Sequence, residues 1–383
     1  MKAVVTQGHG SPEVLIFRDI EAPPAPKARQ VLVRVRACGV CRRDILVRQG
    51  PHRRGLADPL VLGHEISGEV MALGPDARGL TVGERVCSTQ REYVCGCCSM
   101  CRTDRETLCP DLRFLGQEAS GGYAEYVRVL PFVFPGIVRI PARNTFLEGA
   151  MLEPVNTVLK AVERLSLLPA DTVLVAGQGP IGLMFTRILA LRGINVIATD
   201  LLRPRLAIAQ EFGAKWVWVS RPSAPPGRRV KKVTKPDSRN SNIDSLARLV
   251  ERLTQGQGLD AAVIAVPLDS VVQEAQKLLR GGGQLLLFSH TRRGEKSPID
   301  LATVCVDEKD LLGSYSADVT LQRESARLVF SRKLDVRRLI THQFPLEQTS
   351  DAIQLAAHPT NDSLKIVVSQ MGKEPAHGTQ VES

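Results

Sequence analysis

Residues 172–191 read TVLVAGQGPIGLMFTRILAL, a short apolar run followed by three spaced glycines and an apolar helical stretch. Gly177, Gly179 and Gly182 form a G-x-G-x-x-G pattern where the predicted strand becomes a helix. The first glycine permits a tight turn, the second a close approach to the backbone, and the third tight packing of helix on strand. Since a helix N-terminus also attracts anions, this loop, with Pro180 and Ile181, predicts a site for the pyrophosphate of a dinucleotide.

Asp200 ends the next predicted strand, eighteen residues after Gly182. A carboxylate at this point binds both hydroxyls of an adenosine ribose and repels a 2′-phosphate, which favours NAD. Arg205 follows shortly and keeps NADP as the less favoured alternative.

Strands and helices alternate around this stretch, which predicts a doubly wound α/β domain over residues 156–315. Its six strands make a complete parallel dinucleotide-binding sheet. They are expected at Val173–Ala176, Val196–Asp200, Trp216–Ser220, Ala261–Val266, Leu285–Ser289 and roughly Leu311–Tyr315. A basic, proline-rich insertion at residues 221–242 is predicted to be an exposed loop.

Short β-type runs with Gly and Pro between them fill residues 1–155 and predict a largely antiparallel β domain. Residues 316–371 return to a mixed pattern, and the polar tail 372–383 is expected to be disordered. With 383 residues, the chain is long enough for two cores.

The net charge of +10 raises the possibility of a nucleic-acid partner. Residues 221–239 hold seven basic residues and one acidic residue, however, and no aromatic residue for base stacking. No apolar run approaches the roughly 20 residues of a membrane span. We therefore expect a cytoplasmic protein with neither a nucleic-acid nor a membrane partner. A nucleic-acid-binding zinc protein remains a disfavoured alternative.

Four cysteines share the spacing C-x2-C-x2-C-x7-C: Cys95, Cys98, Cys101 and Cys109. Clustered thiolates in a reducing compartment are typical of a tetrahedral zinc site with no open position, and therefore of a structural one. Cys97 breaks the spacing and is interpreted as a spare thiol. Cys87 and Cys305 are expected in the core.

A second metal site is indicated by Cys41 in CGVCRRD and His64 in GHEISGEV. An open tetrahedral zinc site needs a third protein ligand. Glu65 and Glu153 are both candidates for that position.

These segments, with GGYAEYV at Gly121 and LEPVNTVLKAV, resemble the zinc-containing medium-chain dehydrogenase/reductase, or alcohol dehydrogenase, family, in order over residues 1 to about 370. The resemblance implies a GroES-like catalytic domain with a zinc lobe, joined to a Rossmann domain. It also implies two zinc ions per subunit and a homodimer or homotetramer. Glu153, where many alcohol dehydrogenases have cysteine, is closer to the sorbitol, polyol and secondary-alcohol branch.

By this resemblance, Cys41 and His64 bind the catalytic zinc, and Glu65 is a direct or an exchanging ligand. Asp44 would orient His64. Thr157 would border the nicotinamide, and Arg42 would approach the pyrophosphate. The implied reaction is hydride transfer from an alcohol or polyol to NAD, with zinc as Lewis acid. A threonine-dehydrogenase-like or primary-alcohol enzyme is the alternative.

Arg43 departs from the family pattern, which usually has Ser or Thr as a proton relay at this position. We consider two roles. Arg43 selects an anionic substrate, such as a sugar acid or sugar phosphate, or it turns to solvent or to the cofactor phosphate while water relays the proton. The second is preferred because arginine is usually exposed.

Overall fold

The computed structural model describes residues 1–8, 14–49, 60–88, 94–116, 119–131, 133–220, 245–289 and 296–370. The basic insertion 221–242 and the tail 372–383 lie outside the described residues. The chain divides into two compact units, one formed by Met1–Asn156 with Ala317–Ser383 and the other by Thr157–Ser316. The domain boundaries predicted from the sequence, after residues 155 and 315, each lie one residue before the boundaries between these units.

The N-terminal part of the first unit is mainly strands with three helices. Its strands are β1 (Lys2–Thr6), β2 (Leu15–Asp19), β3 (Val31–Gly39), β4 (Glu65–Leu73), β5 (Arg85–Ser88), β6 (Tyr126–Val129) and β7 (Ile137–Arg139). Its helices are α1 (Arg42–Gln49), α2 (Ser99–Arg102) and α3 (Phe146–Ala150).

The helix α4 (Leu152–Val162) crosses into the second unit, where strands and helices alternate. The strands are β8 (Thr172–Ala176), β9 (Asn195–Asp200), β10 (Trp216–Val219), β11 (Leu259–Ile264), β12 (Leu279–Leu287) and β13 (Asp310–Gly313). The helices are α5 (Pro180–Leu191), α6 (Arg203–Glu211), α7 (Leu246–Leu253), α8 (Asp269–Leu278) and α9 (Leu301–Val306).

These strands form one parallel sheet in the order β10-β9-β8-β11-β12-β13. This is the dinucleotide-binding order: β9 and β10 are added on one side of β8, and β11, β12 and β13 on the other, so the strand order switches sides between β8 and β11. The predicted six-stranded α/β domain is confirmed. β12 starts earlier than predicted because Leu279 already pairs with Leu259, across a register shift that includes Gly281–Gly283.

The chain then returns to the first unit through α10 (Gln322–Phe330), β14 (Ile340–Phe344), α11 (Thr349–Ala357) and β15 (Lys365–Ser369). β15 inserts beside β3 in a sheet of order β14-β15-β3-β4-β5-β7, with β6 also on β3. The pairs are antiparallel except β14 with β15. The predicted antiparallel β domain is therefore confirmed, and it includes the C-terminal strand β15 between β14 and β3.

Two expectations about buried residues have different outcomes. Cys87 is buried in β5, as expected, but Cys305 in α9 is exposed. The prediction for Cys305 is wrong because no described segment covers its side of α9, where Leu301 and Val306 are also exposed. None of the helices in the described part of the chain has the length and apolar character that a bilayer crossing requires.

Candidate active and metal sites

The glycine loop between β8 and α5 has the geometry expected of a pyrophosphate site. Gly177 has φ +93°, and a Cβ at Gly182 would lie 1.7 Å from the carbonyl oxygen of Gly177. Around Gly179, by contrast, a Cβ would meet no described atom within 4 Å. Two glycines are thus needed by the turn itself, whereas Gly179 leaves open space at the N-terminus of α5. The loop fits the close approach of a phosphate group.

Asp200, the last residue of β9, is held against this loop. Its Oδ2 accepts a hydrogen bond from the Gln178 N–H at 2.6 Å, and its Oδ1 accepts one from the Leu202 N–H at 2.9 Å. These bonds fix the carboxylate beside the first turn of the glycine loop. Arg205 lies nearby in α6 and is partly exposed.

The four cysteines of the spacing motif converge in one lobe. The Sγ atoms of Cys95, Cys98, Cys101 and Cys109 all lie within 4.8 Å of one another. The N–H groups of Cys97 and Cys98 point to Cys95 and lower the pKa of its thiol to about 6, which favours the thiolate. Four soft ligands at this separation fit zinc. Cys97 is exposed and is not a member of the group.

The second group joins Cys41, just before α1, to His64 and Glu65 at the start of β4. One ligand atom from each of these three residues lies within 4.8 Å of the other two. A thiolate, an imidazole and a carboxylate are a ligand set that zinc accepts. Glu153, the other candidate, is buried in α4 and is not in this group as the described residues define it. Burial raises the pKa of Glu153, and the neighbouring Glu65 raises it further, while His64 opposes the shift.

Asp44 organises this second group from the first turn of α1. Its carboxylate accepts hydrogen bonds from the Cys41 N–H at 2.9 Å and from the Tyr123 hydroxyl at 2.9 Å. It also faces His64 Nδ1 at 3.4 Å. Burial alone would raise the pKa of Asp44, but His64 and these donors bring it below its ordinary value. The Asp44 carboxylate thus lies on the Nδ1 side of the imidazole, as a residue that orients a metal-binding histidine would.

Tyr123 and Lys365 belong to the site although sequence reasoning missed both. Tyr123 is fully buried and reaches Asp44 from the segment GGYAEYV, which was noted only as a family segment. Lys365, the first residue of β15, is 6% exposed and places Nζ 2.7 Å from Glu65 Oε1 and 2.5 Å from Oε2. Glu65 raises the pKa of Lys365 against the opposing effect of burial. The two partners are 300 positions apart, so no local pattern signals this contact.

Arg43, for which the sequence favours a position facing solvent or the cofactor phosphate, contacts an aromatic ring. It is partly buried, and its guanidinium carbon lies 3.8 Å from the centre of the Phe114 ring. Phe114 itself packs against the buried cysteines of the zinc lobe. The positive charge also acts on Glu153, whose pKa it lowers in part. The neighbouring Arg42 is exposed, and Thr157 lies one helical turn after Glu153 in α4.

Comparisons with known proteins identify the family to which the chain belongs. Residues 27–141 match the alcohol dehydrogenase GroES-like domain, and residues 180–331 match the zinc-binding dehydrogenase domain. The chain is 29% identical to sorbitol dehydrogenase of Bacillus subtilis (strain 168), over 96% of this chain and 97% of that protein. It is 27% identical to D-arabitol-phosphate dehydrogenase of Enterococcus avium, over 98% and 99%.

A solved structure of an NAD-dependent alcohol dehydrogenase superposes with a TM-score of 0.80 at 27% identity, covering 96% of this chain and 99% of that one. The two matched domains together span more than half of the sequence, and the first includes both cysteine-containing groups, whereas the second begins at Pro180, inside the glycine loop. The chain therefore belongs to the zinc-binding alcohol dehydrogenase family, in which a GroES-like domain is joined to a dinucleotide-binding domain.

Proposed function

We propose that the protein oxidises a secondary alcohol group of a polyol to the ketone, with NAD as the hydride acceptor. The observation that carries the proposal is the convergence of Cys41, His64 and Glu65 in a chain that also has the glycine loop. The names of two relatives, a sorbitol dehydrogenase and an arabitol-phosphate dehydrogenase, support the polyol class.

In this proposal each residue has a separate task. Cys41 and His64 hold the catalytic zinc, and Asp44 keeps the His64 ring in the orientation that directs Nε2 to it. Bound zinc supplies Lewis-acid activation of the substrate hydroxyl. Glu65 is the third ligand or an exchanging one. Glu153 and Thr157 lie on the same face of α4, because they are four residues apart.

The cofactor and the second zinc are assigned by the same reasoning. The glycine loop and the N-terminus of α5 hold the pyrophosphate, which Arg42 approaches, and Asp200 binds the adenosine ribose of NAD. The positive charge of Arg205 could bind the 2′-phosphate of NADP, which is therefore kept as the weaker alternative. The four-cysteine lobe holds a structural zinc, because its four ligands leave no position for substrate.

The test is a panel of secondary alcohols, polyols, amino alcohols and sugar acids, each offered with NAD and with NADP. Turnover is followed by the absorbance of the reduced nicotinamide. The proposal expects polyols with NAD to give the highest kcat/KM. A zinc-loaded protein that turns over none of these compounds would contradict it.

A sugar acid or polyol phosphate is a second candidate substrate, and it is favoured by the partly buried guanidinium of Arg43 beside Glu153. A charge-assisted contact to an anionic group is worth about 1.5–3 kcal/mol. Arg43→Ser should therefore lower kcat/KM for polyol phosphates roughly tenfold or more relative to neutral polyols. An unchanged ratio between the two substrate classes would remove this candidate.

A homodimer formed through the edge of the second unit is proposed as the assembly. β13 is the last strand of the parallel sheet, and exposed apolar side chains lie on or beside it, namely Leu301, Val306, Leu311 and Tyr315. Exposed edge strands with apolar side chains favour pairing with another chain. Light scattering on the wild type and on Leu311→Lys tests the assembly. A monomeric wild type would refute it.

A further inference from the structure

The ion pair between Lys365 and Glu65 is built into the sheet of the first unit. β3 lies between β15 and β4, and its last residue, Gly39, is opposite Val367 on one side and Glu65 on the other. A Cβ at Gly39 would lie 1.9 Å from Glu65 Oε2 and 3.1 Å from Lys365 Cε. The two side chains therefore meet across a position that only glycine leaves open.

The same carboxylate is within reach of two different cations. Lys365 Nζ donates a hydrogen bond to Glu65 Oε1 at 2.7 Å and lies 2.5 Å from Oε2, which is buried and accepts no hydrogen bond among the described residues. Glu65 also belongs to the group with Cys41 and His64. A zinc ion takes a carboxylate oxygen at about 2.0–2.2 Å, and an ammonium group so close to a divalent ion is repelled.

We propose that Lys365 is a positioning residue that determines whether Glu65 ligates the catalytic metal. While the ion pair is formed, Lys365 keeps Glu65 out of the ligand set and leaves that position to substrate or water. When the pair opens, Glu65 completes the set with Cys41 and His64. This inference rests on the catalytic metal site proposed above and adds the residue that regulates it.

The test uses the full chain loaded with Co²⁺. The visible absorption of Co²⁺ depends on its ligands, and the site of Cys41, His64 and Glu65 has one thiolate whereas the other group has four. Lys365→Met removes the competing charge, whereas Lys365→Arg keeps it as the matched control. We expect Lys365→Met to bind Co²⁺ roughly tenfold more tightly, judged by chelator competition, and to shift the ligand-field bands. Lys365→Arg should match the wild type.

A double-mutant cycle with Glu65→Gln separates this role from a merely structural one. Adding Lys365→Met to Glu65→Gln should leave the spectrum unchanged and raise the Co²⁺ affinity far less than in the Glu65 background, because only the direct charge repulsion is then removed. Equal effects in both backgrounds, or an unchanged affinity and spectrum in Lys365→Met, would overturn the proposal. A Lys365→Met protein that folds only with Co²⁺ supports it, and one that fails to fold in either condition overturns it.

The outcome for the proposed function is read separately in the wild type. A wild-type chain without a single-thiolate Co²⁺ spectrum would contradict the catalytic metal site itself. A normal wild-type spectrum with no dependence on Lys365 would overturn only the positioning role.

Discussion

Tyr123 has a fully buried hydroxyl whose main partner is a charged group. It donates to Asp44 at 2.9 Å, and Asp44 in turn faces His64. Asp44 is itself buried, so water cannot replace the Tyr123 hydroxyl. Loss of this donor therefore removes one hydrogen bond from a buried, charged carboxylate oxygen. We therefore expect Tyr123 to act on the candidate metal site through Asp44.

Tyr123→Phe is expected to weaken metal binding at the Cys41 site roughly tenfold and to lower the free energy of unfolding by about 1–3 kcal/mol. Co²⁺ titration and urea unfolding measure the two effects. Tyr126→Phe in β6 is the matched control, because it removes the same hydroxyl from a partly exposed side chain. Equal Co²⁺ affinity in the two variants would contradict the role of Tyr123.

At the scale of elements, different glycines of the strand–loop–helix unit β8–α5 serve folding and ligand binding. Gly177 and Gly182 are required by the shape of the turn, whereas Gly179 has φ −69° and free space around it. An alanine at Gly179 is thus compatible with the backbone. Glycine is therefore needed at two of these positions to form the turn, and at the third to leave space for a ligand.

Gly179→Ala should leave the unfolding transition close to that of the wild type but weaken NAD binding roughly tenfold or more, because its methyl group takes the space through which a phosphate approaches. Gly182→Ala should instead destabilise the protein, since its Cβ meets the Gly177 carbonyl. Thermal unfolding and NADH fluorescence titration distinguish the two. The opposite order of effects would refute this assignment.

The four-cysteine lobe around α2 is a small element with few apolar residues of its own, namely a cluster of buried cysteines with Leu112 and Phe114. A metal is a common source of stability for such an element. Cys101→Ser should lower the zinc content by about one ion per chain and expose the lobe to proteases, while NAD affinity is kept. Cys97→Ser is the control, and equal zinc loss in both variants would contradict the ligand set.

At the scale of the whole molecule, the first unit is assembled from two distant parts of the chain. Glu148 in α3 is fully buried, and its carboxylate receives Arg332, from the segment after α10, at 2.9 Å. It also accepts hydrogen bonds from the Thr145 N–H and from Asn144. Burial alone would raise the pKa of Glu148, but these partners hold it below the ordinary value of 4.5.

The ionised form of Glu148 thus stabilises the fold above pH 4.5, and this contribution is lost as the pH falls through the lower pKa of the folded state. Glu148→Gln should reduce the free energy of unfolding at pH 7 by about 1–3 kcal/mol and flatten its decline in acid. Urea unfolding at a series of pH values measures this. Glu347→Gln, at an exposed position, is the control, and parallel profiles for all three proteins would contradict the prediction.

The features that could be predicted from the sequence are those encoded in short segments. The glycine loop, its strand and its helix span about twenty residues, and the four cysteines lie within fifteen. Their periodicity and spacing are properties of the local chain, so the α/β sheet and the resemblance to the dehydrogenase family follow from them. Cys41 and His64 are predictable as candidate ligands from their residue types and from the family resemblance of their segments, but the sequence does not show that they meet.

The sequence by itself determined the class of fold, the dinucleotide loop and the set of candidate metal ligands. Only the tertiary structure decided that a ligand atom of Glu65 lies within 4.8 Å of those of Cys41 and His64, that Arg43 stacks on Phe114, and that Lys365 reaches Glu65. The reason is that these contacts depend on sheet register and on the insertion of β15 beside β3. Such pairings join residues up to 300 positions apart, and no local pattern encodes them.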